Sequence, residues 1–351
     1  MAEVQSSIVT GPHGGLDLPE VTVDSCNLEM RSGDGFLGDR ASKRAFANIV
    51  SEWRGRSRQV GEDPLGATPA RALTKRKLDE LLAEGRPDQA GLLLAALEDF
   101  SQELANVLFG FLRTQGWIHT ERIAIGGGMR ESRIGELAIA RTQTILNANG
   151  CDSRLAPIRH HPDDAGLIGS AHLTTAWASA RREGLLAVDI GGTNIRAGVV
   201  LIPGHDRCDL SNASVWKSKV WRHADVSPTR DQAVGRLIEM LRKLIASARQ
   251  ENLTLAPFIG VGCPGTIKPD GRIDRGGQNL PGGDWDDSSF NLPNVLKEAI
   301  PSIEGGETLV LLHNDAVVQG LSQAPFMRDV RRWGVLTIGT GLGNARFTNK
   351  G

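Results

Sequence analysis

Three short stretches carry residue types that could do phosphate chemistry. The first is Leu185-Leu-Ala-Val-Asp-Ile-Gly-Gly-Thr-Asn194. It reads as a buried strand over 185–190 that breaks at a Gly-Gly turn into a second strand over 195–202. An acid at a strand end, two glycines and a hydroxyl suit a hairpin whose N–H groups wrap phosphates while the carboxylate faces a cation. The second is Gly339-Thr-Gly-Leu-Gly343, which follows the apolar run 333–338 and repeats the turn type. The third is His313-Asn-Asp-Ala316, behind the apolar run 309–312. Asp315, just ahead of a helix, could take a proton from an attacking hydroxyl. An Asn-Asp at that place is also an ordinary helix cap.

Two glycine-rich segments could supply the remaining contacts. Cys263-Pro-Gly265 ends a strand read over 258–262, and Gly277-Gln-Asn-Leu-Pro-Gly-Gly-Asp-Trp285 follows it. Asn279 in that loop offers both donor and acceptor to hydroxyl groups. Arg122-Ile-Ala-Ile125 reads as a strand that ends in Gly126-Gly-Gly128, where bare backbone could lie against a nucleoside.

The elements that must position these residues alternate, which predicts α/β architecture with ligands at the C-terminal ends of strands. Helices are expected over 40–53, 70–84, 88–115, 129–149, 161–182 and 230–251, with a further one from Ala316 and loops over 54–68. The first 35 residues read as loops with one short strand over 20–23.

Composition narrows the partners. Forty Lys and Arg stand against 41 Asp and Glu, a net charge of −1, so no global field attracts nucleic acid or an anionic membrane. The four cysteines, Cys26, Cys151, Cys208 and Cys263, are far apart and include no C-x-x-C pair, which argues against a disulfide framework and a zinc ribbon. No leader-like N-terminus and no long apolar run is seen, so a soluble cytoplasmic protein is expected. His160-His161 and the basic run 74–77 read as structural or solvated positions.

The two phosphate-type hairpins resemble those of the sugar-kinase, Hsp70 and actin superfamily. With His313-Asn-Asp-Ala316, the Asn-Leu-Pro-Gly loop, Gly126–Gly128 and Asp163-Asp-Ala-Gly-Leu-Ile-Gly169, the resemblance narrows to the ROK family of repressors, open reading frames and sugar kinases. It covers about residues 16–50 and 90–349. In that family the first phosphate motif lies near the N-terminus, whereas here it begins about halfway. The chain therefore looks like a circularly permuted kinase, with residues 1–182 resembling the family's C-terminal half and 183–351 its N-terminal half.

The resemblance implies a two-lobed, actin-like (ribonuclease H-like) fold and ATP-dependent phosphorylation of a sugar or polyol hydroxyl. Asp315 would be the base, with Asn279, Asn314 and Asp315 around the acceptor. Asp189 would face Mg²⁺ through water. Gly191, Gly192, Thr193, Asn194, Thr340, Gly341 and Gly126–Gly128 would hold ATP. Homodimers are common in the family. The rivals are a non-enzymatic sugar sensor and a catalytically silent relative. A ROK repressor would need an N-terminal helix-turn-helix, and residues 1–35 match kinase segments instead, so no nucleic-acid binding is expected.

The pattern also departs from the family. Asp17-Leu-Pro-Glu20 stands where a Glu-x-Gly-His segment grips the sugar, so Asp17 and Glu20 would make that pocket more negative and suit a different polyol or an amine-bearing acceptor. The other reading is a pair of solvated loop acids. Of the family's zinc cysteines only Cys26 has a counterpart, with Leu28 and Phe36 at other ligand positions, and no structural zinc is expected.

Overall fold

The computed structural model describes residues 11–33, 35–175, 182–202 and 210–350. In chain order the elements begin with β1 (Val21–Cys26), the short pair β2 (Arg31–Ser32) and β3 (Gly35–Phe36), α1 (Lys43–Val60), α2 (Lys75–Glu84) and α3 (Pro87–Leu112). Next come β4 (Arg122–Gly126), α4 (Arg133–Ala148), β5 (Arg154–Pro157), α5 (Pro162–Gly169), β6 (Gly184–Ile190), β7 (Ile195–Leu201), β8 (Ser214–Trp221) and α6 (Arg230–Gln250). The chain continues with β9 (Leu255–Cys263), β10 (Thr266–Ile267), β11 (Ile273–Arg275), α7 (Leu292–Ala299), β12 (Ser302–Ile303) and β13 (Gly306–Glu307). It ends with β14 (Leu309–Asn314), α8 (Asp315–Leu321), β15 (Arg332–Ile338) and β16 (Leu342–Asn349). The elements form a mixed α/β fold in two compact units. The first comprises Met1–Asn27, Asp163–Asp329 and Phe347–Gly351; the second comprises Leu28–Pro162 and Val330–Arg346.

In the first unit five strands are ordered β14-β9-β6-β7-β8. Strands β6, β9 and β14 are parallel, while β7 is antiparallel to both β6 and β8. Numbered along the chain and read from the β8 edge, this sheet is 3-2-1-4-5. Central strand β6 is buried at every position, which is why its sequence is a nearly unbroken apolar run rather than an alternation. One face is covered by α6, whose Leu237, Leu241 and Leu244 are fully buried against β-strand residues such as Val188 and Val261. Burying each such side chain stabilises the fold by about 1.5–3 kcal/mol. Thr229 starts α6 by accepting from the Gln232 N–H while the Gln232 side chain accepts from the Thr229 N–H, a reciprocal cap.

In the second unit the strands run β16-β15-β4-β5, with β4 parallel to both β15 and β5. Helix α3 is its spine. Pro87 begins it, and Leu93, Phe100, Leu104, Leu108 and Phe111 recur at helical spacing and are fully buried. Phe46 of α1 meets Phe100 edge-on, with ring centroids 5.5 Å apart.

The helices differ from expectation mostly at their ends. Ser42 caps α1 through the Ala45 N–H, so the helix starts at Lys43 rather than Arg40. It then runs to Val60, into the stretch expected to be loop. The reason is Arg54, a buried cation on the helix that pairs with Asp63 at 2.8 Å and donates to the carbonyls of Thr68 (2.6 Å) and Gly66 (2.5 Å). One guanidinium thus ties the loop back onto the helix that precedes it. Expected helix 70–84 divides into a 3₁₀ turn, Ala70–Ala72, and α2, capped by Thr74. Expected helix 161–182 is α5 followed by a 3₁₀ turn, Ser170–Leu173, and its portion 176–181 lies outside the described residues. Cys208 also lies outside them. No helix among the described residues is long and apolar enough to cross a membrane.

Candidate active site

Within the first unit, chemistry-bearing residues gather at the C-terminal ends of β6, β9 and β14. Asp189 is the charged residue of β6, 5% exposed, and faces Arg196 directly across the β6–β7 register. The Arg196 Nη1 lies 3.6 Å from Asp189 Oδ2, and its Nη2 bonds Asp163 Oδ1 at the start of α5. Burial raises the Asp189 pKa; Arg196 opposes that rise and Asp163 adds to it. Gly166 of α5 is packed so closely that an added Cβ would stand 2.8 Å from the Asp189 carboxyl carbon.

The turn after Asp189 is closed by the Gly191 N–H to the Asn194 carbonyl at 2.9 Å. His223 Nε2 lies 2.8 Å from the Gly191 carbonyl and must carry its proton there, while the Ala224 N–H donates to the Thr193 carbonyl at 3.3 Å. A buried histidine therefore braces the hairpin from beneath. Gly191 lies outside the left-handed φ region, and a Cβ there would meet the Asn194 carbonyl at an ordinary 3.5 Å. The fold does not itself demand glycine at Gly191. What glycine provides is bare backbone on a partly exposed turn.

Asp315 opens α8 directly beyond β14. Asn314 is the N-cap and accepts from the N–H groups of Ala316 (3.0 Å) and Val317 (3.3 Å). Its two amide hydrogens go to the Gly265 carbonyl and to Asp315 Oδ1, both at 3.1 Å. Asn314 is 2% exposed and has no N–H left for an acceptor in this geometry, so its visible work is to hold Asp315. Burial and then the charge of Asp189 push the Asp315 pKa up to about 7, against hydrogen bonds from Ala316 and Asn314. Cys263, buried at the end of β9 between β6, which carries Asp189, and β14, which leads into Asp315, is kept a thiol by burial and by both negative charges. His313 accepts the Asn314 N–H at Nδ1 (2.7 Å), which leaves its proton on Nε2 for the Gly15 carbonyl at 3.0 Å. Burial lowers its pKa to about 4, so it is neutral near pH 7.

The loop after β9 is built against this strand end. Gly276, at φ +90°, lies so close to Gly265 that a Cβ would be 2.7 Å from its Cα. Trp285 is fully buried, donates to the Pro281 carbonyl at 2.8 Å and meets Phe290 edge-on. Asn279 ends a 3₁₀ turn, Gly277–Asn279, and its side chain lies outside the described residues. Asp17 is exposed and pairs with Lys350 at 2.7 Å. The Glu20 carboxylate lies 3.4 Å from the buried His172 ring. Neither acid is among the hydrogen-bond or ion-pair partners of Asn314 or Asp315.

The second unit holds the other glycine turns. Gly127, at φ +89°, would put a Cβ 2.3 Å from the Ile338 carbonyl, so the triple glycine and the strand that leads into the Gly339 turn pack backbone to backbone. The Gly339 N–H donates to the Gly341 carbonyl at 2.9 Å, and the Lys43 N–H donates to the Gly339 carbonyl at 3.0 Å. Thr340 and Gly341 are exposed at the tip. Lys43 also lines a mostly apolar pocket with Phe46, Val50, Leu73, Leu78 and Lys75. His161 bonds Glu131, which also pairs with Lys75 at 2.9 Å.

No group of three or more His, Cys, Asp or Glu is gathered as a metal shell among the described residues. Asp189 alone could not chelate a cation, but one carboxylate suits Mg²⁺ that keeps its waters and takes its other ligands from phosphates. The mutual charge of Asp189 and Asp315 is also what a cation there would relieve. The donor set fits.

Sequence reading missed Arg196, Asp163 as its partner, His223 and the α1–α2 pocket. Arg196 was the findable one, since residues equally spaced from a hairpin turn must face each other. His223 carries no local signal.

No family model and no curated relative matches the chain. Among solved structures, a candidate N-acetylmannosamine kinase from Listeria monocytogenes matches at 27% identity and TM-score 0.34 over 47% of each chain. The ROK hexokinase of Thermus thermophilus matches at 25% identity and TM-score 0.26, over 38% of this chain and 35% of that one. An exopolyphosphatase from Cytophaga hutchinsonii matches at 13% identity and TM-score 0.21, over 51% and 55%. The chain spans about half or less of the length of these structures. They are partial likenesses, divided between two sugar kinases and an exopolyphosphatase.

Proposed function

We propose that the chain is an ATP-dependent kinase that phosphorylates a hydroxyl of a sugar or sugar-like polyol. The observation that carries this reading is Asp315: a carboxylate with its pKa pushed up to about 7, fixed by Asn314 at the helix start just beyond β14, two strands from β6 and its buried acid Asp189. Asp315 accepts the proton of the attacking hydroxyl, and Asn314 and the α8 N-terminus keep it oriented. The Gly191–Asn194 turn, beside Asp189, presents N–H groups to the phosphates. Mg²⁺, held from the Asp189 side through water, would supply charge neutralisation of the phosphates. Most of the rate comes from alignment, because phosphoryl transfer asks the protein for little covalent chemistry.

Circular permutation belongs to this proposal, and strand order supports it. Started at β15, the chain gives β15, β16, β1, β4 and β5. The end of β16 carries β1 beside it in the first unit, through the Lys350 N–H to the Glu20 carbonyl at 3.0 Å, while β4 and β5 lie on the other side of β15. That succession is again 3-2-1-4-5, the order of the first unit's sheet. A strand order that repeats when the chain is read from its later half supports the permuted reading. A cytoplasmic protein without structural zinc, binding no nucleic acid and pairing as a homodimer, completes the reading.

The test is ADP release from ATP·Mg²⁺ with hexoses, N-acetylhexosamines, free amino sugars and inositols, with inorganic polyphosphate as a separate substrate. Turnover that depends on one acceptor class establishes the kinase. Phosphate release from polyphosphate alone moves the protein to the hydrolases, and ATP binding without turnover favours a sensor or silent relative.

A further inference from the structure

The charge that answers Asp189 comes from its own hairpin. Arg196 stands opposite it in the register, contacts Asp189 through Nη1 and Asp163 through Nη2, and keeps a buried Nε with no acceptor. Strands β6 and β7 and helix α5 thus meet at one guanidinium, and Gly166 lets the helix close to contact distance over the Asp189 carboxyl. A free cation arriving at Asp189 would have to expel Arg196 while gaining a single protein carboxylate, and would strand a partly buried guanidinium. A cation already bound to nucleotide phosphates brings anionic oxygens that can take over the guanidinium, whose planar fork suits them.

We infer that Arg196 is a positioning residue that occupies Asp189 in the empty protein, so that Asp189 accepts a divalent cation only as its complex with a nucleotide. The inference rests on the kinase reading for its nucleotide, and names what that site excludes. Arrival of the complex frees Asp189 from Arg196, and through Asp163 the same event loosens the start of α5.

Mn²⁺ binding followed by electron paramagnetic resonance tests this without turnover. Wild-type protein should bind Mn²⁺ weakly when alone and at least about tenfold more tightly with ADP present, the scale of one lost charge pair. Arg196→Met and Arg196→Gln should bind Mn²⁺ alone about tenfold more tightly than wild type, and adding Asp189→Asn should erase the gain. A purely structural arginine would yield weaker binding in every arm. The inference is overturned if folded variants gain nothing, or if wild type holds free Mn²⁺ as tightly as Mn²⁺ with ADP. That second comparison needs no variant, so it decides the matter even if both substitutions unfold the chain. Failure of wild type to bind Mn²⁺·ADP at all would instead count against the kinase reading, while the free-Mn²⁺ gain would still report on Arg196.

Discussion

The side-chain amide of Asn314 donates to Asp315 Oδ1 at 3.1 Å while its second hydrogen holds the Gly265 carbonyl at the same distance. One residue thereby caps α8, fixes the rotamer of the candidate base and fastens it to the end of β9. The helix cap that the sequence offered is present, and the same contacts hold Asp315 where the proposed base would act.

Asp315→Asn keeps the hydrogen-bonding shape and removes the base. Transfer should fall by about 10²–10⁴-fold, with ADP affinity close to wild type by calorimetry. A variant that retains most of its turnover takes Asp315 out of the mechanism.

The base must be ionised to act, so kcat/KM should rise with pH through about 7 and level off above it. Since the Asp189 charge is the second cause of that raised value, a bound cation should make the pKa seen in kcat lower than the one seen in kcat/KM. Stability runs the other way. A carboxyl whose folded pKa is raised favours the folded state while protonated, and loses that contribution as pH climbs from the unfolded value toward 7. Asp315→Asn should therefore raise Tm relative to wild type at pH 8, and by less at pH 5.

His223→Ala removes the donor to the Gly191 carbonyl at 2.8 Å. An unpaired carbonyl beneath the turn costs about 1–3 kcal/mol, and KM for ATP should rise several-fold with a smaller change in kcat. Equal loss of both in steady-state kinetics would mean that the hairpin does not depend on this brace.

Gly127→Ala places a methyl 2.3 Å from the Ile338 carbonyl at a φ that side chains avoid. Chemical denaturation should show a loss of about 2–4 kcal/mol, from backbone strain and overpacking together. A loss below 1 kcal/mol would show that β4 and β15 can part without cost.

How much of this was legible depended on the range of the interaction. The apolar run ending in Asp189-Ile-Gly-Gly, the Asn314-Asp315 cap and the α3 stripe are written within one strand or one helical turn, where side-chain period and backbone preference decide the outcome. The extension of α1 past Trp53 was not legible, because it hangs on Arg54 finding Asp63 and two carbonyls across a loop. Asp17 and Glu20 carried a role in the sequence only through the resemblance, and their observed partners are Lys350, 333 residues away from Asp17 along the chain (350 − 17), and His172.

By itself the sequence determined the alternation of strands and helices, the two glycine-rich turns and the acid at the head of α8, since these follow from local composition and periodicity. Tertiary structure alone decided that Arg196 answers Asp189, that His223 props Gly191, and that burial, with the Asp189 charge added to it, pushes the Asp315 pKa up to about 7. A charge takes its partner and its pKa from burial and from neighbours brought close by folding, and neither is a property of the residues beside it in the chain.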